Sequence, residues 1–285
     1  MIKLIKYFVE AIIIYSFFLI IKIVGLNYSR FIFSFIFKKI GPLIKSNKTI
    51  DKNLNIFSTK LTTEKKSKIK LSMWSNYGKT FVEYMFLKNF RNNNSHIDIK
   101  GKEILSKICK SGKPVIFISG HFANFELMSM EITKNKINLA TIYRPLNNFF
   151  LNPLMEYVRK TYVCANQIKK GKQGVKECVN YLKEGSSIAL MIDQRVSEGD
   201  RVLFFEKEAH TTSLPAQLSI KYKLDIVPIF IERKKKDFFQ MKVFEPVKVS
   251  GFKDKSDITK KLNQILENMI LKNPNQWIWS HDRWK

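Results

Sequence analysis

The chain has 285 residues, 45% of them apolar, and 50 Lys+Arg against 24 Asp+Glu give a net charge of +26. That length and apolar content suit one globular domain of about 200–250 residues plus an appendage, and argue against a disordered chain. The charge favours anionic partners, meaning nucleic acid, anionic lipid, phosphorylated substrates or an acidic protein. Three cysteines (Cys109, Cys164, Cys178) with no CxxC spacing exclude a disulfide framework and a cysteine metal site.

The segment Tyr7–Leu26, YFVEAIIIYSFFLIIKIVGL, carries only Glu10 and Lys22 as charges. As a helix it measures about 30 Å, the hydrocarbon thickness of a bilayer. Its uninterrupted apolar part, Ala11–Ile21, also has the length of a signal-peptide core, but no small-x-small cleavage site follows. The expectation is an uncleaved anchor, spanning or interfacial, with a cleaved signal and a buried core helix as the alternatives. Lysines cluster behind it (Lys38, Lys39, Lys45, Lys48, Lys52), while only Lys3 and Lys6 precede it. This bias places the body in the cytoplasm and a short amino terminus outside. Phe31–Phe37, FIFSFIF, reads either as a second membrane-contacting piece or as a helix packed on the body. Residues 1–45 are thus expected to form an anchor and interfacial helix, and residues 46–285 the globular domain.

Ser46–Asn55 is polar and reads as a connection. Thr62–Asn89 has helical spacing (Ile69, Met73, Tyr77, Phe81, Met85), with Thr62-Thr63-Glu64 as a start signal. Asn92–Ser95 reads as a turn, Gly101–Ser111 as a helix and Lys113–Ser119 as a strand. A helix is expected from the following turn to about Lys134, then a strand over Asn138–Tyr143, ended by Pro145. Leu151–Tyr162 and Gln173–Lys183 read as helices, and Ser187–Ile192 as a strand ending in Asp193-Gln194. Val202–Phe205 reads as a strand or a surface loop. Ser213–Tyr222 is helical, with Pro215 in its first turn. Ile226–Glu232 and Phe239–Phe244 read as strands joined through Lys234-Lys235-Lys236, Ser256–Lys272 as a helix, and Trp277–Trp284 as an aromatic, basic tail. Strands alternating with helices at this spacing imply an α/β fold with a mostly parallel central sheet flanked by helices.

In such sheets reactive groups gather beyond the carboxyl ends of the strands. His121, Arg144 and Asp193 each follow a predicted strand, which places them in one crevice. The stretch Val115–Met130, VIFISGHFANFELMSM, reads as a strand, a turn presenting His121, and a helix that carries Glu126. Five residues on one helix would set the two about 140° apart. They meet only if His121 lies in the turn and Glu126 in the first turn of the helix, with Asn124 as a plausible N-cap. A neutral, oriented imidazole is what a general base needs to take a proton from an alcohol. With no G-x-S-x-G motif and no cysteine nearby, the pattern points to direct attack by a substrate hydroxyl. His96, in an Asn-rich turn, reads as solvated, and Trp277, Trp279 and Trp284 as either interfacial anchors or core.

SGHFANFE resembles the G-H-x-G-N-W-E block of the bacterial lipid A biosynthesis (lauroyl/myristoyl) acyltransferases, members of the H-x4-D/E glycerolipid acyltransferase superfamily; Ala123 stands for Gly and Phe125 for Trp. Further blocks follow in the same order: Tyr143-Arg144-Pro145 with Asn152-Pro153-Leu154, Asp193-Gln194, Val202–Phe205, Ala209–Thr212 with Pro215-Ala216, Val227-Pro228 with Arg233, and NPNQWIW with Arg283-Trp284-Lys285. The resemblance implies His121 as general base and Glu126 as its orienting partner. It implies Arg144 as an anion or oxyanion ligand, Asp193 as a support of the same crevice, and Asn124 within the site. It further implies no cofactor or metal, an acyl-acyl carrier protein or acyl-CoA co-substrate, and a lipid A precursor as acceptor. The location implied is the cytoplasmic side of the bacterial inner membrane. Acylation of another glycolipid or a lysophospholipid is the nearest alternative. A membrane-tethered nucleic-acid binder is a more distant one, since no nucleic-acid-binding motif is visible and the basic residues are dispersed.

Overall fold

Short runs of Ile, Val, Leu and Phe build the sheet that positions the site. The computed structural model describes residues 1–45 and 47–285. Its strands are β1 (Ile97–Lys100), β2 (Ile116–Ser119), β3 (Leu139–Tyr143), β4 (Asn166–Lys169), β5 (Ser187–Met191), β6 (Asp200–Phe204), β7 (Lys207–Thr211), β8 (Ile226–Arg233) and β9 (Phe239–Val243). Seven of them form one sheet in the order β1-β9-β8-β2-β5-β3-β4. β8, β2, β5, β3 and β4 run parallel, whereas β9 reverses against β8 and carries β1 with it. β6 and β7 form a separate antiparallel hairpin. The α/β expectation therefore holds.

The helices are α1 (Ile2–Val24), α2 (Leu26–Ile44), α3 (Asn47–Phe57), α4 (Thr63–Glu83), α5 (Leu87–Asn92), α6 (Lys102–Ser111), α7 (Glu126–Lys134), α8 (Asn152–Val158), α9 (Lys172–Lys183), α10 (Leu214–Tyr222) and α11 (Lys255–Lys272). Thr62 caps α4 by accepting from Lys65 N–H at 3.3 Å. Alternate residues of the central strands enter opposite layers: Ile116, Ile118, Ile188 and Phe230 join one core, and Phe117, Ala189, Ile229 and Ile231 the other. Buried on both faces, such strands read as apolar runs rather than alternations.

Several stretches differ from expectation: β7 is not marked by the sequence, and the helix expected over Thr62–Asn89 breaks at Tyr84–Phe86 into α4 and α5. The supposed connection is helical over α3, since Ile50 and Leu54, four apart, are both fully buried under the carboxyl-terminal tail. β1 and β4 are four-residue edge strands of mixed polarity, IDIK and NQIK, too short to show an alternation. Ser46 lies outside the described residues.

The two amino-terminal helices pack on α4. Gly78 of α4 admits the α2 backbone, because a Cβ there would stand 2.2 Å from the Phe33 carbonyl oxygen. Phe18, Ile21, Phe33 and Val82 form a small core among α1, α2 and α4. The tail tryptophans are core: Trp277, Trp279 and Trp284 are all buried.

Candidate active site

β2 and β5 are parallel neighbours with Ser119 opposite Met191, and Ile192 N–H donates to the Ser119 carbonyl at 2.9 Å. The two chains leave the sheet side by side, so His121 and Asp193, each two residues past those partners, arrive together. The Asp193 carboxylate accepts from the His121 backbone N–H at 2.7 Å through Oδ2 and meets His121 Nδ1 at 2.7 Å through Oδ1. Trp277 Nε1 donates to the same Oδ2 at 2.9 Å. Gly120 makes this approach possible, because a Cβ there would lie 2.8 Å from the Phe122 ring and 3.2 Å from Asp193 Oδ2.

Asp193 is almost fully buried. Burial alone would weaken it as an acid and raise its pKa, but the charge of His121, the two hydrogen bonds from that residue and the one from Trp277 outweigh it. Its carboxyl is held below the ordinary carboxylate range. An ionised Asp193 accepts only, so Nδ1 carries a proton, and in the neutral imidazole the lone pair falls on Nε2. The His121 side chain is 17% exposed, which leaves that edge reachable, and Nε2 has no hydrogen-bond partner among the described residues.

The structure divides the expected His121–Glu126 pair. Among the described residues no hydrogen bond or ion pair joins them. Glu126 Oε1 instead accepts from Arg159 Nε at 2.9 Å, from Arg159 Nη2 at 2.6 Å and from the Tyr84 hydroxyl. The reason is geometric: Glu126 begins α7, and its carboxylate is taken by Tyr84, in the short 3-10 turn Tyr84–Phe86 that follows α4, and by Arg159, directly after α8. Burial raises the Tyr84 phenol well above its ordinary range, so it remains a donor to Glu126.

A second buried network fixes the turn between His121 and α7. Asn124 Nδ2 donates to Glu83 Oε2 at 3.0 Å, and its Oδ1 accepts from Glu126 N–H at 3.3 Å, one residue ahead of the N-cap of α7, which is Phe125 rather than the expected Asn124. Glu83 is fully buried and also takes Arg233 Nη1, Arg233 Nη2 at 3.0 Å and Arg30 Nε at 2.7 Å. The Ala123 carbonyl accepts from Asn76 Nδ2 at 3.0 Å and Thr80 Oγ1 at 3.1 Å, and Ala123 N–H donates to the Gln276 carbonyl at 3.2 Å. These bonds hold Ala123 at φ 45°, the left-handed region that disfavours a Cβ.

Arg144 ends β3, one strand beyond Asp193, and is exposed with no partner among the described residues. It therefore stands at the same sheet edge without touching the pair. His96 is not solvated: its side chain is 10% exposed, stacks on Phe90 at 4.7 Å and lies 3.5 Å from Glu131. His281 Nε2 accepts from Arg195 N–H at 2.9 Å within the packed tail. Among the described residues no group of three or more His, Cys, Asp or Glu has a metal-holding arrangement.

Glu83, Arg30, Arg159 and Tyr84 were not singled out from the sequence. Two carried a signal: Glu83 is an acid on the apolar face of α4, in step with Met73, Asn76 and Thr80, and Arg30 is a lone cation before FIFSFIF. Arg159, beside Lys160 in a mixed helix, carried none.

A family model described as bacterial lipid A biosynthesis acyltransferase matches residues 2–285. The lipid A biosynthesis palmitoleoyltransferase of Escherichia coli K12 is 24% identical over 252 residues, covering 86% of this chain and 80% of that protein. The lipid A biosynthesis lauroyltransferase of the same organism is 22% identical over 193 residues, covering 66% of this chain and 61% of that protein. Among solved structures, the 1-acyl-sn-glycerophosphate acyltransferase of Thermotoga maritima aligns with a TM-score of 0.42 at 14% identity, covering 87% of this chain and 99% of that one.

Proposed function

Because the chain belongs to the bacterial lipid A biosynthesis acyltransferase family, and is therefore an acyltransferase, we propose that it moves a fatty acyl group from a thioester donor to a hydroxyl of a lipid A precursor. His121 is the general base, oriented by Asp193. The observation that carries this reading is the doubly hydrogen-bonded His121–Asp193 pair at the end of the central strands, with Nε2 left without a partner among the described residues on a side chain that is 17% exposed. Nε2 takes the proton of the acceptor hydroxyl as its oxygen attacks the thioester carbonyl. The tetrahedral species then expels the thiolate, which recovers that proton from the imidazolium. No residue of the chain is acylated.

Glu126 belongs to the proposed site in a different role from orienting His121. Arg159 and Tyr84 fix its Oε1, and its other oxygen, free among the described residues, can accept a hydrogen bond from the acceptor. Arg144 is the proposed ligand of the donor's phosphate or of the developing oxyanion. Asn124 holds the turn.

The donor proposed is acyl-acyl carrier protein. An open cleft of about 620 Å³ beside Asn76 and Gln276 is lined by Lys38 and Lys68, together with Lys79, Arg233 and Lys234, which pair with Asp237, Glu83 and Glu232. The net charge of +26 on the whole chain favours an acidic carrier and an acidic glycolipid. We further take residues 1–45 as the membrane-binding part and 46–285 as the catalytic domain, on the cytoplasmic face of the inner membrane. α1 is long and apolar enough for membrane contact.

Purified protein incubated with acyl-carrier-protein donors and a tetra-acylated lipid A precursor should add one acyl chain, read as product mass. No added chain with any donor length overturns the reading. His121→Ala should lose activity on the order of 10²-fold or more.

A further inference from the structure

α1 has the length and hydropathy of a bilayer-crossing helix, yet its contacts run along the body rather than leaving it. Tyr7, Ala11, Ile14, Phe18 and Ile21, spaced three or four apart, face inward, with Glu10 half-buried beside Ala11. From Tyr7 to Ile21 that stripe covers about 21 Å of helix. Near its start, Asn148 Nδ2 donates to the Tyr7 carbonyl at 2.8 Å and to Glu10 Oε2 at 3.4 Å. In the middle, the Tyr15 hydroxyl donates to the Phe150 carbonyl at 2.8 Å. Near its end, Phe18 stacks on Phe81 at 5.0 Å and Lys22 lies over the Phe86 ring at 4.8 Å. The hydrocarbon core is about 30 Å thick. A helix crossing it while making these contacts would draw Asn148, the adjoining exposed Asn147 and Arg144, and the polar loop backbone into a medium that offers them no partners.

The outer face of α1 tells the same story from the other side. Val9, Ile12, Ile13, Leu19, Ile20 and Ile23 are all exposed and apolar. Two neighbours extend that surface. On α2, Phe31, Phe35 and Leu43 are exposed beside Lys38 and Lys39. On the loop after β3, Phe149 is 52% exposed with its ring 6.2 Å from that of Tyr7. An apolar face flanked by lysines matches the boundary between acyl chains and anionic headgroups.

Building on the membrane attachment proposed above, we propose that α1 lies in the plane of one leaflet, with α2 and the Phe149 loop beside it, and does not cross the bilayer. The occupant of this face is the anionic lipid surface itself. Both ends of the chain then lie on one side of the membrane. The loop ends β3 at the strand edge that carries His121 and Asp193, so the site opens toward the leaflet, where a lipid acceptor enters sideways.

The test is sidedness of the full chain in bacterial membranes, read with an impermeant maleimide on Ile2→Cys and Lys260→Cys, each in a Cys109→Ser background. An in-plane helix leaves both cysteines unlabelled in intact spheroplasts and labels both in inverted vesicles. Labelling of Ile2→Cys in intact spheroplasts, with Lys260→Cys protected, means a crossing helix. That result overturns this inference while leaving membrane attachment in place. Recovery of the chain in the soluble fraction overturns the attachment and this inference with it. In a second arm, Phe149→Asp should weaken partition into vesicles of phosphatidylethanolamine and phosphatidylglycerol about tenfold. Unchanged partition overturns the in-plane placement, because a crossing helix holds the chain without that loop.

Discussion

Asp193 grips His121 twice, once at the ring Nδ1 and once at the backbone N–H, each at 2.7 Å. One carboxylate thereby sets both the tautomer of the imidazole and the position of the turn that presents it. This tie joins two parallel strands that are neighbours in space but 72 residues apart in the chain.

The first prediction concerns that tie. Asp193→Asn keeps the shape but exchanges one acceptor oxygen for a donor, so the tautomer with a free Nε2 loses its support. The turnover number should fall on the order of 10²–10⁴-fold with little change in KM. Steady-state kinetics beside a circular dichroism spectrum separate this from unfolding. Wild-type turnover in the variant would return the orienting role to another group.

Stability should carry the same signature in acid. Asp193 has a folded value below its ordinary 3.8. Its contribution is therefore fully present above that value and is lost as pH falls through the lowered folded one. Denaturant unfolding at a series of pH values should show the wild type losing stability relative to Asp193→Asn only in that acid window. Parallel curves across it would mean that the carboxylate does not titrate differently in the folded chain.

Glu83 and Arg30 should respond unequally, though they are partners at 2.7 Å. Glu83→Gln leaves Arg30 buried without a counter-charge and Arg233 with only the Asp237 carboxylate at 3.8 Å, a loss of about 3–5 kcal/mol. Arg30→Met removes one of two cations from a single carboxylate, and the one whose Nη2 is buried without a partner. That substitution should cost no more than about 1–2 kcal/mol. Unfolding free energies of the two variants give the ranking directly, and equal losses would count against it.

Gly120→Ala should destabilise by about 1–3 kcal/mol, since the new methyl meets the Phe122 ring at 2.8 Å, Leu266 at 2.9 Å and the Asp193 carboxylate at 3.2 Å. Because the last of these is the His121 partner, activity should fall further than stability alone explains. Thermal melts and initial rates on one preparation test both.

The sequence was informative where a single segment decides the outcome. Ser187–Met191 and Ile226–Arg233 are apolar runs because they are buried on both faces, and α7 begins where the motif placed it. It was silent where register decides. That His121 meets Asp193 rather than Glu126 follows from Ser119 standing opposite Met191, a pairing written in neither segment alone. Arg159 had no pattern to betray it, because its partner lies 33 residues upstream and its flanks look like an ordinary surface helix. Ala123 stands where the resembled block has Gly, and the sequence alone does not say why. At φ 45° it is a matter of backbone conformation, sustained by the bonds from Asn76, Thr80 and Gln276.

Trp277 reaches back 84 residues to Asp193, and Gln276 holds both Ala123 and Arg233. During synthesis at about 5–20 residues per second, the two members of the reactive pair are made roughly 4–17 s before the tryptophan that completes their setting. The His121–Asp193 pair therefore reaches its final setting only after the carboxyl-terminal stretch has been made and has docked beneath it.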